Sequence, residues 1–217
     1  MLFTDIPSSV VLDYSFAFNS KMASFEIMYR KALKKARNLA IITKKEKSED
    51  KIAMPMTTKA WYEAIAFFEA YLNSFYSLLQ IIAKFTPLFY EENKDKIPTW
   101  NFGLQKKFFV DRPKFDADFS SYLIHKLGWY ETLRDNRHAI THNLSAFLGF
   151  DEDGKVVFRD YPKSKQSFRQ IEKYLNQSFN DMLNFLEFYT QHFRKRVPKS
   201  DRTKLMLRSI FQENPEQ

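Results

Sequence analysis

The sequence predicts an all-α protein, an up-and-down bundle of four to five long helices that carries a small β-hairpin insertion. Only four glycines occur in 217 residues, against 23 phenylalanines and 11 tyrosines, so turn-forming residues are few and core-filling rings are many. Apolar residues also recur at steps of three and four along several long segments, which is the spacing of amphipathic helices. Helices with such stripes pack against one another in bundles.

The first predicted helix covers residues 10–43, with Ser8 or Ser9 as its N-cap. Its apolar stripe consists of Phe18, Met22, Phe25, Tyr29, Ala32, Ala36 and Leu39. The residues that follow are polar and charged, and Pro55 lies just beyond them. Residues 44–56 are therefore predicted to form a charged linker.

The second predicted helix begins after Thr57 or Thr58, either of which can cap it, and Pro87 bends or ends it. Its stripe runs through Trp61, Ile65, Phe68, Leu72, Phe75, Leu79 and Ile82. Residues 91–115 contain two prolines, one glycine and mixed charge. This composition predicts a long loop with little regular structure.

The second half of the chain predicts two more helices and the hairpin. A helix over residues 118–145 is interrupted at Gly128. Residues 147–158 place an Asp-Gly pair between two apolar arms, which is the pattern of a β-hairpin. The last helix covers residues 164–196, and its apolar row includes Phe168.

These elements form one predicted domain over residues 1–198, followed by a basic C-terminal extension at 199–217. Residues 201–211 of that extension suit a small amphipathic helix. Between residues 194 and 208 the chain carries seven basic residues and one acid. This run either guides a phosphate backbone or is a solvated cationic end, and the sequence favours neither hypothesis.

Composition excludes several kinds of chemistry. Without cysteine, the chain forms no disulfide, thiolate metal site or cysteine nucleophile. Glycine-rich phosphate loops and the Gly-x-Ser-x-Gly pattern are also missing, which disfavours nucleotide hydrolases and serine hydrolases. The net charge of +8 favours a polyanionic partner such as nucleic acid or an anionic membrane surface.

The first residues show no basic segment followed by an apolar core, as a secretory signal would. No uninterrupted apolar run approaches the roughly 20 residues that cross a bilayer. We therefore expect a cytoplasmic protein without a membrane partner.

Arg137 is the most unusual residue of the predicted third helix. At 100° per residue it lies in a row with Tyr130, Leu133, Ile140 and Leu144, all of them apolar. An unpaired buried guanidinium is costly, so this arginine pairs with an acid, extends from the edge of the core, or faces a partner or cleft. A twofold interface lined by Tyr130, Arg137 and Ile140 would satisfy the last condition.

The histidines nearby allow a metal site as one hypothesis. His138 and His142 are four residues apart and share a helix face with Asp135, and His192 or His125 would complete the ligand set. Two solvated imidazoles explain the same spacing. A metal-binding bundle therefore stays an alternative, and the favoured prediction has no metal and no other cofactor.

Arg137 and His142 offer a different chemistry. Cleavage of RNA through its own 2′-hydroxyl needs a group that moves protons near neutral pH and a cation that holds the charge developing on phosphorus. Histidine and arginine meet both needs without a metal. Five residues apart on one helix, however, the two side chains point about 140° apart. They converge only if the helix loosens near His142 or if two copies of the helix face each other in a dimer.

The segment RHAITH at residues 137–142 resembles the signature R-[N/D/H]-x-x-x-H of the HEPN superfamily (higher eukaryotes and prokaryotes nucleotide-binding), in its stand-alone prokaryotic form. The resemblance implies a helical bundle, a homodimer through residues 130–144 and metal-independent endoribonuclease activity, as in toxin-antitoxin and antiviral systems. It makes Arg137 and His142 the catalytic pair, with RNA as the substrate and an antitoxin or regulatory protein as a further partner. The residues expected to position the substrate are His138, Arg134 and Asn136.

The sequence departs from one subgroup of that superfamily. His142 is followed by Asn143 and Leu144, not by the tyrosine of the nucleotidyltransferase-linked subgroup, so an adenylation partnership is not expected. Some HEPN proteins are inactive, which makes a non-catalytic RNA- or protein-binding module the first alternative. The pair Lys106-Lys107 beside Phe108-Phe109 suits either a patch for single-stranded RNA or anchors to the bundle.

Overall fold

The computed structural model describes residues 8–48, 58–142, 148–160, 167–194 and 196. Within them the protein is mostly helical, with a small antiparallel sheet, and the predicted helical class is confirmed. The helices are α1 Ser8–Ser48, α2 Lys59–Phe85, α3 Phe102–Asp111, α4 Ala117–His125, α5 Gly128–His142 and α6 Ile171–Arg194. The strands are β1 Leu148–Phe150, β2 Val156–Asp160 and β3 Ser167–Gln170.

Helix α1 is longer than the predicted first helix. It already includes Ser8 and Ser9, and it continues through residues 44–48. The predicted linker at 44–56 is therefore wrong over its first part, and its remainder, from residue 49 on, lies outside the described residues. Lysine and glutamate are good helix formers, so a charged run extends a helix as readily as it forms a loop.

Helix α2 agrees with the predicted second helix, and the main-chain N–H of Trp61 donates to Oγ1 of Thr58 at 3.3 Å. Residues 91–115, in contrast, do not form an irregular loop. They contain a 3₁₀ helix at Glu91–Lys96, then α3, then a 3₁₀ helix at Pro113–Phe115. Short helices of this kind need only a cap and a few buried anchors, and they leave no long apolar stripe in the sequence.

The predicted third helix, residues 118–145, is two helices. Helix α4 ends at His125 and α5 begins at Gly128, so the predicted interruption is confirmed. Helix α4 begins earlier than predicted because Asp116 caps it, with Oδ1 accepting a hydrogen bond from the main-chain N–H of Phe119 at 3.1 Å. Residues 143–145 lie outside the described part of the chain.

The described part of the predicted hairpin at 147–158 is confirmed. Strands β1 and β2 are antiparallel, with Leu148 opposite Phe158. The turn between them contains Gly154 at a φ of 76°, a left-handed conformation that glycine adopts without strain.

Strand β3 was not predicted. It pairs antiparallel with β2, which places Phe158 opposite Arg169. Helix α6 consequently begins at Ile171 and not at residue 164. Phe168, which the sequence placed in the row of the last helix, lies in β3 and is 54% exposed.

The chain divides into two compact units. Unit 1 comprises the described residues of Met1–Ala23, Ser77–Gly128 and Leu183–Gln217. Unit 2 comprises the described residues of Ser24–Tyr76 and Trp129–Met182. Helices α1, α2 and α6 contribute residues to both units.

Unit 1 has an aromatic core. Phe89 stacks on Phe193 with 4.6 Å between the ring centroids. Gln105 of α3 is 1% exposed, and its Nε2 donates to the main-chain oxygens of Ala83 and Pro98, each at 2.9 Å. These two hydrogen bonds attach α3 to the C-terminal part of α2 and to the segment that precedes α3.

Unit 2 is also built on rings. Phe25 of α1 is fully buried, and its ring lies 5.1 Å from both Phe75 and Phe179. Phe158 of β2 packs on Phe68 of α2 at 4.8 Å. The latter contact attaches the small sheet to α2, and an isolated hairpin would need such support to be stable.

Within the described residues, one segment, Lys59–Phe89, is long and apolar enough by length and composition to cross a bilayer. Its apolar residues do not form one uninterrupted run, because Glu63 and Glu69 lie within the segment. Of its most apolar window, 44% is buried inside the protein. The core helix of a soluble protein passes the same test, so this segment is weak evidence for a membrane span.

The prediction of a single domain over residues 1–198 stays a prediction. The basic extension at 199–217, including the small helix expected at 201–211, lies outside the described residues.

Candidate nucleic-acid interface

Arg137 lies at the edge of the core of unit 2 and is only partly buried. The buried face of α5 passes instead through Tyr130, Leu133 and Asn136, each 1% exposed. Three residues cover about 300° of a helical turn, which is about 60° short of a full turn. A face that passes through every third residue therefore rotates around the helix, and toward the end of α5 it lies to one side of Arg137. The apolar row predicted around Arg137 is therefore not the buried face of α5 along its whole length.

The guanidinium of Arg137 is oriented by uncharged groups. Its Cζ lies 4.7 Å from the ring centroid of Tyr76, and its Nε lies 3.4 Å from Oδ1 of Asn73. Within the described part of the chain, Arg137 makes no ion pair with an acid. The ring and the amide therefore hold the cation in place without neutralising its charge.

Two of the predicted positioning residues have other roles in the structure. Arg134 is exposed but forms ion pairs with Glu131 at 2.5 Å and with Asp135 at 2.9 Å, which offset its charge. Asn136 is buried in unit 2, so its side chain does not reach a substrate in this conformation. His138 is exposed. Of the three, His138 is the best placed to meet a substrate.

The structure limits how Arg137 and His142 can cooperate. Helix α5 is continuous from Gly128 to His142, and the hydroxyl of Thr141 donates to the main-chain oxygen of Arg137 at 2.8 Å. The main chain therefore stays helical up to its last residue, and two positions five residues apart on such a helix lie about 140° apart around its axis. The side chain of His142 itself lies outside the described residues.

The structure tests the metal hypothesis only for the described residues. Among the described residues, no three histidine, aspartate or glutamate side chains are placed to hold a metal ion. Asp135 is engaged by Arg134, and His192 is engaged by Asp116. Because the hypothesis also needs the side chain of His142, the metal-binding alternative stays a prediction.

A charged cluster that the sequence did not predict surrounds Asp116 in unit 1. Asp116 is 5% exposed, and its Oδ2 accepts hydrogen bonds from Nε2 of His192 at 2.8 Å and from Nη2 of Arg196 at 2.6 Å. The hydroxyl of Tyr90 donates to the same oxygen. One carboxylate thus joins the segment after α2, the start of α4 and the end of α6.

The cluster fixes two protonation states. Burial alone would raise the pKa of Asp116, but hydrogen bonds from His192, Tyr90 and the N–H of Phe119 outweigh it and hold the pKa below its usual 3.8. Burial and the hydrogen bond to Asp116 both raise the pKa of Tyr90. At neutral pH, Asp116 is therefore a carboxylate and Tyr90 a neutral donor.

An open groove of about 1110 Å³ adjoins this cluster, and we call it the basic groove. Its described lining residues are Phe89, Tyr90, Asn93, Lys96, Phe108, Arg112, Lys114, Phe115 and Arg196. Four of these are cations, four are aromatic, and none is acidic. The Cζ of Arg112 lies 4.7 Å above the ring of Phe108, and that of Arg196 lies 4.6 Å above the ring of Tyr90. Aromatic rings thus orient both guanidinium groups.

The sequence indicated residues 106–109 as a possible patch for RNA, but it did not predict the other residues that line this groove. Phe108 and Phe109 are 8% and 0% exposed, so they act mainly as anchors of α3. Arg112 and Lys114, a few residues further on, provide the exposed charge. The density of cations and rings over residues 106–115 was the available signal, but the predicted loop gave no reason to place them on one wall.

No family model, curated protein or solved structure matches this chain. The fold and the two sites define its class only as a mostly helical protein with a cation-lined groove in unit 1 and, on α5, an oriented arginine that has no acidic partner among the described residues. The chemistry of these two sites is therefore what indicates a function.

Proposed function

We propose that the protein is a HEPN-type, metal-independent endoribonuclease of the cytoplasm, a toxin or antiviral effector that cleaves single-stranded RNA. The observation that supports this proposal is the state of Arg137, whose guanidinium is oriented by Tyr76 and Asn73 and has no acidic partner among the described residues. A fixed, unneutralised arginine suits the binding of a phosphate and of the charge that develops on it. An antitoxin or regulatory protein is the further partner of such an enzyme.

In this proposal the long helices form an up-and-down bundle of four to five helices, and the small sheet is an insertion into it. The bundle presents α5 to a second copy of the chain. Four-helix and five-helix arrangements of this kind commonly build their sites from side chains on facing helices.

The proposed active site is composite. Because α5 stays helical through His142, Arg137 of one chain would work with His142 of the partner subunit across an interface formed by residues 130–144. Tyr130 is buried in its own chain, so it does not line that interface in this conformation. Arg137 and the exposed His138 belong to the outer face that remains available.

The proposed reaction uses the substrate's own nucleophile. The 2′-oxygen attacks the adjacent phosphorus, the bond from phosphorus to the 5′-oxygen breaks, and the products are a 2′,3′-cyclic phosphate and a 5′-hydroxyl. His142 takes the proton from the 2′-hydroxyl and returns it to the leaving 5′-oxygen. Arg137 binds the non-bridging phosphate oxygens, and His138 contacts the substrate beside it.

The test is cleavage of mixed single-stranded RNA in the presence of a chelator, with the product ends identified. Arg137→Ala and His142→Ala should each lower kcat by about 10²–10³-fold, which is typical of losing one charge-stabilising or proton-transfer group. Arg30→Ala, which removes an arginine that is 73% exposed, serves as the control and should cleave like the wild type. A wild-type protein that cuts no RNA, or variants as active as the wild type, would contradict the proposal.

A second candidate is the non-catalytic HEPN module that binds RNA or a protein. It is favoured by the neutralised charge of Arg134 and the burial of Asn136, which leave few groups beside Arg137 to position a substrate. In that case His142→Ala would leave RNA binding unchanged, and no cleavage would be seen. The metal-binding bundle is tested separately, by metal analysis of protein purified without an affinity tag.

A further inference from the structure

We infer that the basic groove of unit 1 binds a single-stranded nucleic acid, through its phosphates and through bases stacked on arginine. The inference concerns a site apart from Arg137. It requires neither cleavage nor a dimer, so it goes beyond the proposed function and can fail or succeed independently.

Three cations of the groove are available for phosphate. Within the described residues, Lys96, Arg112 and Lys114 make no ion pair; Lys96 donates to the amide oxygen of Asn93 at 2.8 Å, and Arg112 lies on the ring of Phe108. The chain has 26 acidic residues against 34 basic ones, so an ordinary stretch of its surface mixes both signs. Cations that form no ion pair attract a phosphate backbone and release its counterions on binding.

The fourth cation is fixed in place. Arg196 donates to the buried carboxylate of Asp116 at 2.6 Å, and its Cζ lies over the rings of Tyr90 and Phe193. Its side chain is 33% exposed and lines the groove, and its guanidinium also contacts the protein. Asp116 therefore positions one wall of the groove, although it offsets part of the charge there.

The arrangement of the arginines favours a single strand over a duplex. A guanidinium that lies on a ring with one face presents its other face, and bases stack on such planes as they do on aromatic side chains. Arg112, which is exposed and lies over Phe108, is the arginine that we assign to base stacking, whereas Arg196 is held over both Tyr90 and Phe193. A duplex has no free base faces to place on Arg112.

A lipid surface would attract the same cations but suits the groove less well. Cations alone attract an anionic membrane, and apolar side chains that enter the headgroup region strengthen that binding. Three of the four rings of the groove are largely buried, with Phe89 6%, Tyr90 8% and Phe108 8% exposed, and Phe115 is partly buried, so the groove has little apolar surface to add to its charge.

The experiment measures fluorescence anisotropy of a labelled oligouridine of about 12 nucleotides, within the range of single-strand sites. The full chain is compared with the double variant Arg112→Glu/Lys114→Glu, whose changed side chains are exposed. The matched control is Lys34→Glu/Lys173→Glu, which changes the net charge equally at exposed lysines of unit 2. A duplex of the same length and vesicles containing phosphatidylserine are the competitors.

The groove variant should bind the oligonucleotide on the order of tenfold or more weakly than the wild type, whereas the control should stay within about twofold. Its plot of log K against log salt, from about 50 to 200 mM, should lose about 1.4 of its slope, which is about 0.7 for each phosphate contact removed. The duplex should compete poorly. Equal losses in the groove variant and the control, equal competition by the duplex, or binding to vesicles without binding to the oligonucleotide would each overturn the inference.

RNA cleavage is measured separately on the same proteins. A wild-type protein that binds the oligouridine in this groove but cuts no RNA would reject the proposed enzyme and leave the groove inference intact.

Discussion

Nε2 of His192 lies 2.8 Å from Oδ2 of Asp116, although the two residues are 76 positions apart in the sequence. Both side chains are nearly inaccessible, with 10% and 3% of their surfaces exposed. The contact binds the end of α6 to the residue that caps α4, within unit 1. The same carboxylate also accepts hydrogen bonds from Tyr90 and Arg196, both of which line the basic groove. The positions of these two lining residues therefore depend on one buried acid.

The first prediction concerns acid stability. The pKa of Asp116 is held below its usual 3.8 in the folded protein, so the folded state gains stability when Asp116 is ionised. That contribution is complete above the unfolded pKa and is lost as the pH falls through the folded pKa. We therefore expect Asp116→Asn to be less stable than the wild type near pH 6, with a difference that shrinks toward about pH 3.

The measurement is urea unfolding at several pH values, followed by tryptophan fluorescence. Asp118→Asn is the control, since Asp118 is exposed in the first turn of the same helix. It should follow the pH profile of the wild type. A profile for Asp116→Asn that runs parallel to the wild type over the whole range would show that Asp116 is not the stabilising carboxylate.

The second prediction tests the core of unit 2 with two identical changes in one helix. Phe25 is fully buried against rings of α2 and α6, whereas Phe16 is 78% exposed, and both lie in α1. Phe25→Ala should lower the free energy of unfolding by about 3–5 kcal/mol through lost burial and the cavity left behind. Phe16→Ala should change it by less than about 0.5 kcal/mol. Equal effects in urea unfolding would mean that the ring cluster around Phe25 does not hold unit 2 together.

Long helices with a continuous apolar stripe were predictable from the sequence. Short helices, and strands that depend on pairing with a neighbour, were not. The stripe from Trp61 to Ile82 marks α2 because burial repeats over many turns. Helix α3 has only three turns and is held by the buried amide of Gln105, which no periodicity reveals. Strand β3 has the sequence Ser-Phe-Arg-Gln and becomes a strand because β2 offers it an unpaired edge.

In the candidate sites, too, features set by helical spacing were predictable and features set by contacts between distant residues were not. The identity of Arg137 as an unusual residue came from helical spacing, and the arginine does lie beside the buried face of α5. Its actual surroundings, the ring of Tyr76 and the amide of Asn73, come from α2 and could not be read from α5 alone. The cluster of Asp116 with His192 joins distant parts of the chain, so only the folded structure reveals it.

The third prediction tests whether the ring beneath Arg137 matters for the proposed cleavage. Tyr76→Leu keeps an apolar side chain but removes the aromatic face that orients the guanidinium. We expect kcat to fall by about tenfold, in line with the roughly 0.5–2 kcal/mol of a cation–π contact. The thermal midpoint should change little. Tyr62→Leu, at a tyrosine that is 59% exposed in the same helix, is the control and should retain wild-type kcat. A loss of stability without a loss of kcat would assign Tyr76 a structural role only.

The fourth prediction compares two glycines whose substitution should have opposite effects. Gly154 has a φ of 76° in the turn between β1 and β2, and its N–H donates to the main-chain oxygen of Asp151 at 2.9 Å. An added Cβ meets no atom within 4 Å, so only the backbone conformation opposes alanine, at a cost of about 1–2 kcal/mol. Gly128 also has open space around it, but it starts α5, where alanine is favoured by up to about 1 kcal/mol.

Urea unfolding should therefore show Gly154→Ala to be destabilised and Gly128→Ala to be unchanged or stabilised. Gly154→Asn should lose less than Gly154→Ala, because asparagine tolerates the left-handed conformation better than alanine does. If Gly154→Ala and Gly128→Ala were destabilised equally, the turn would not depend on its positive φ. If Gly154→Ala and Gly154→Asn lost the same stability, the loss would come from a changed contact and not from backbone strain.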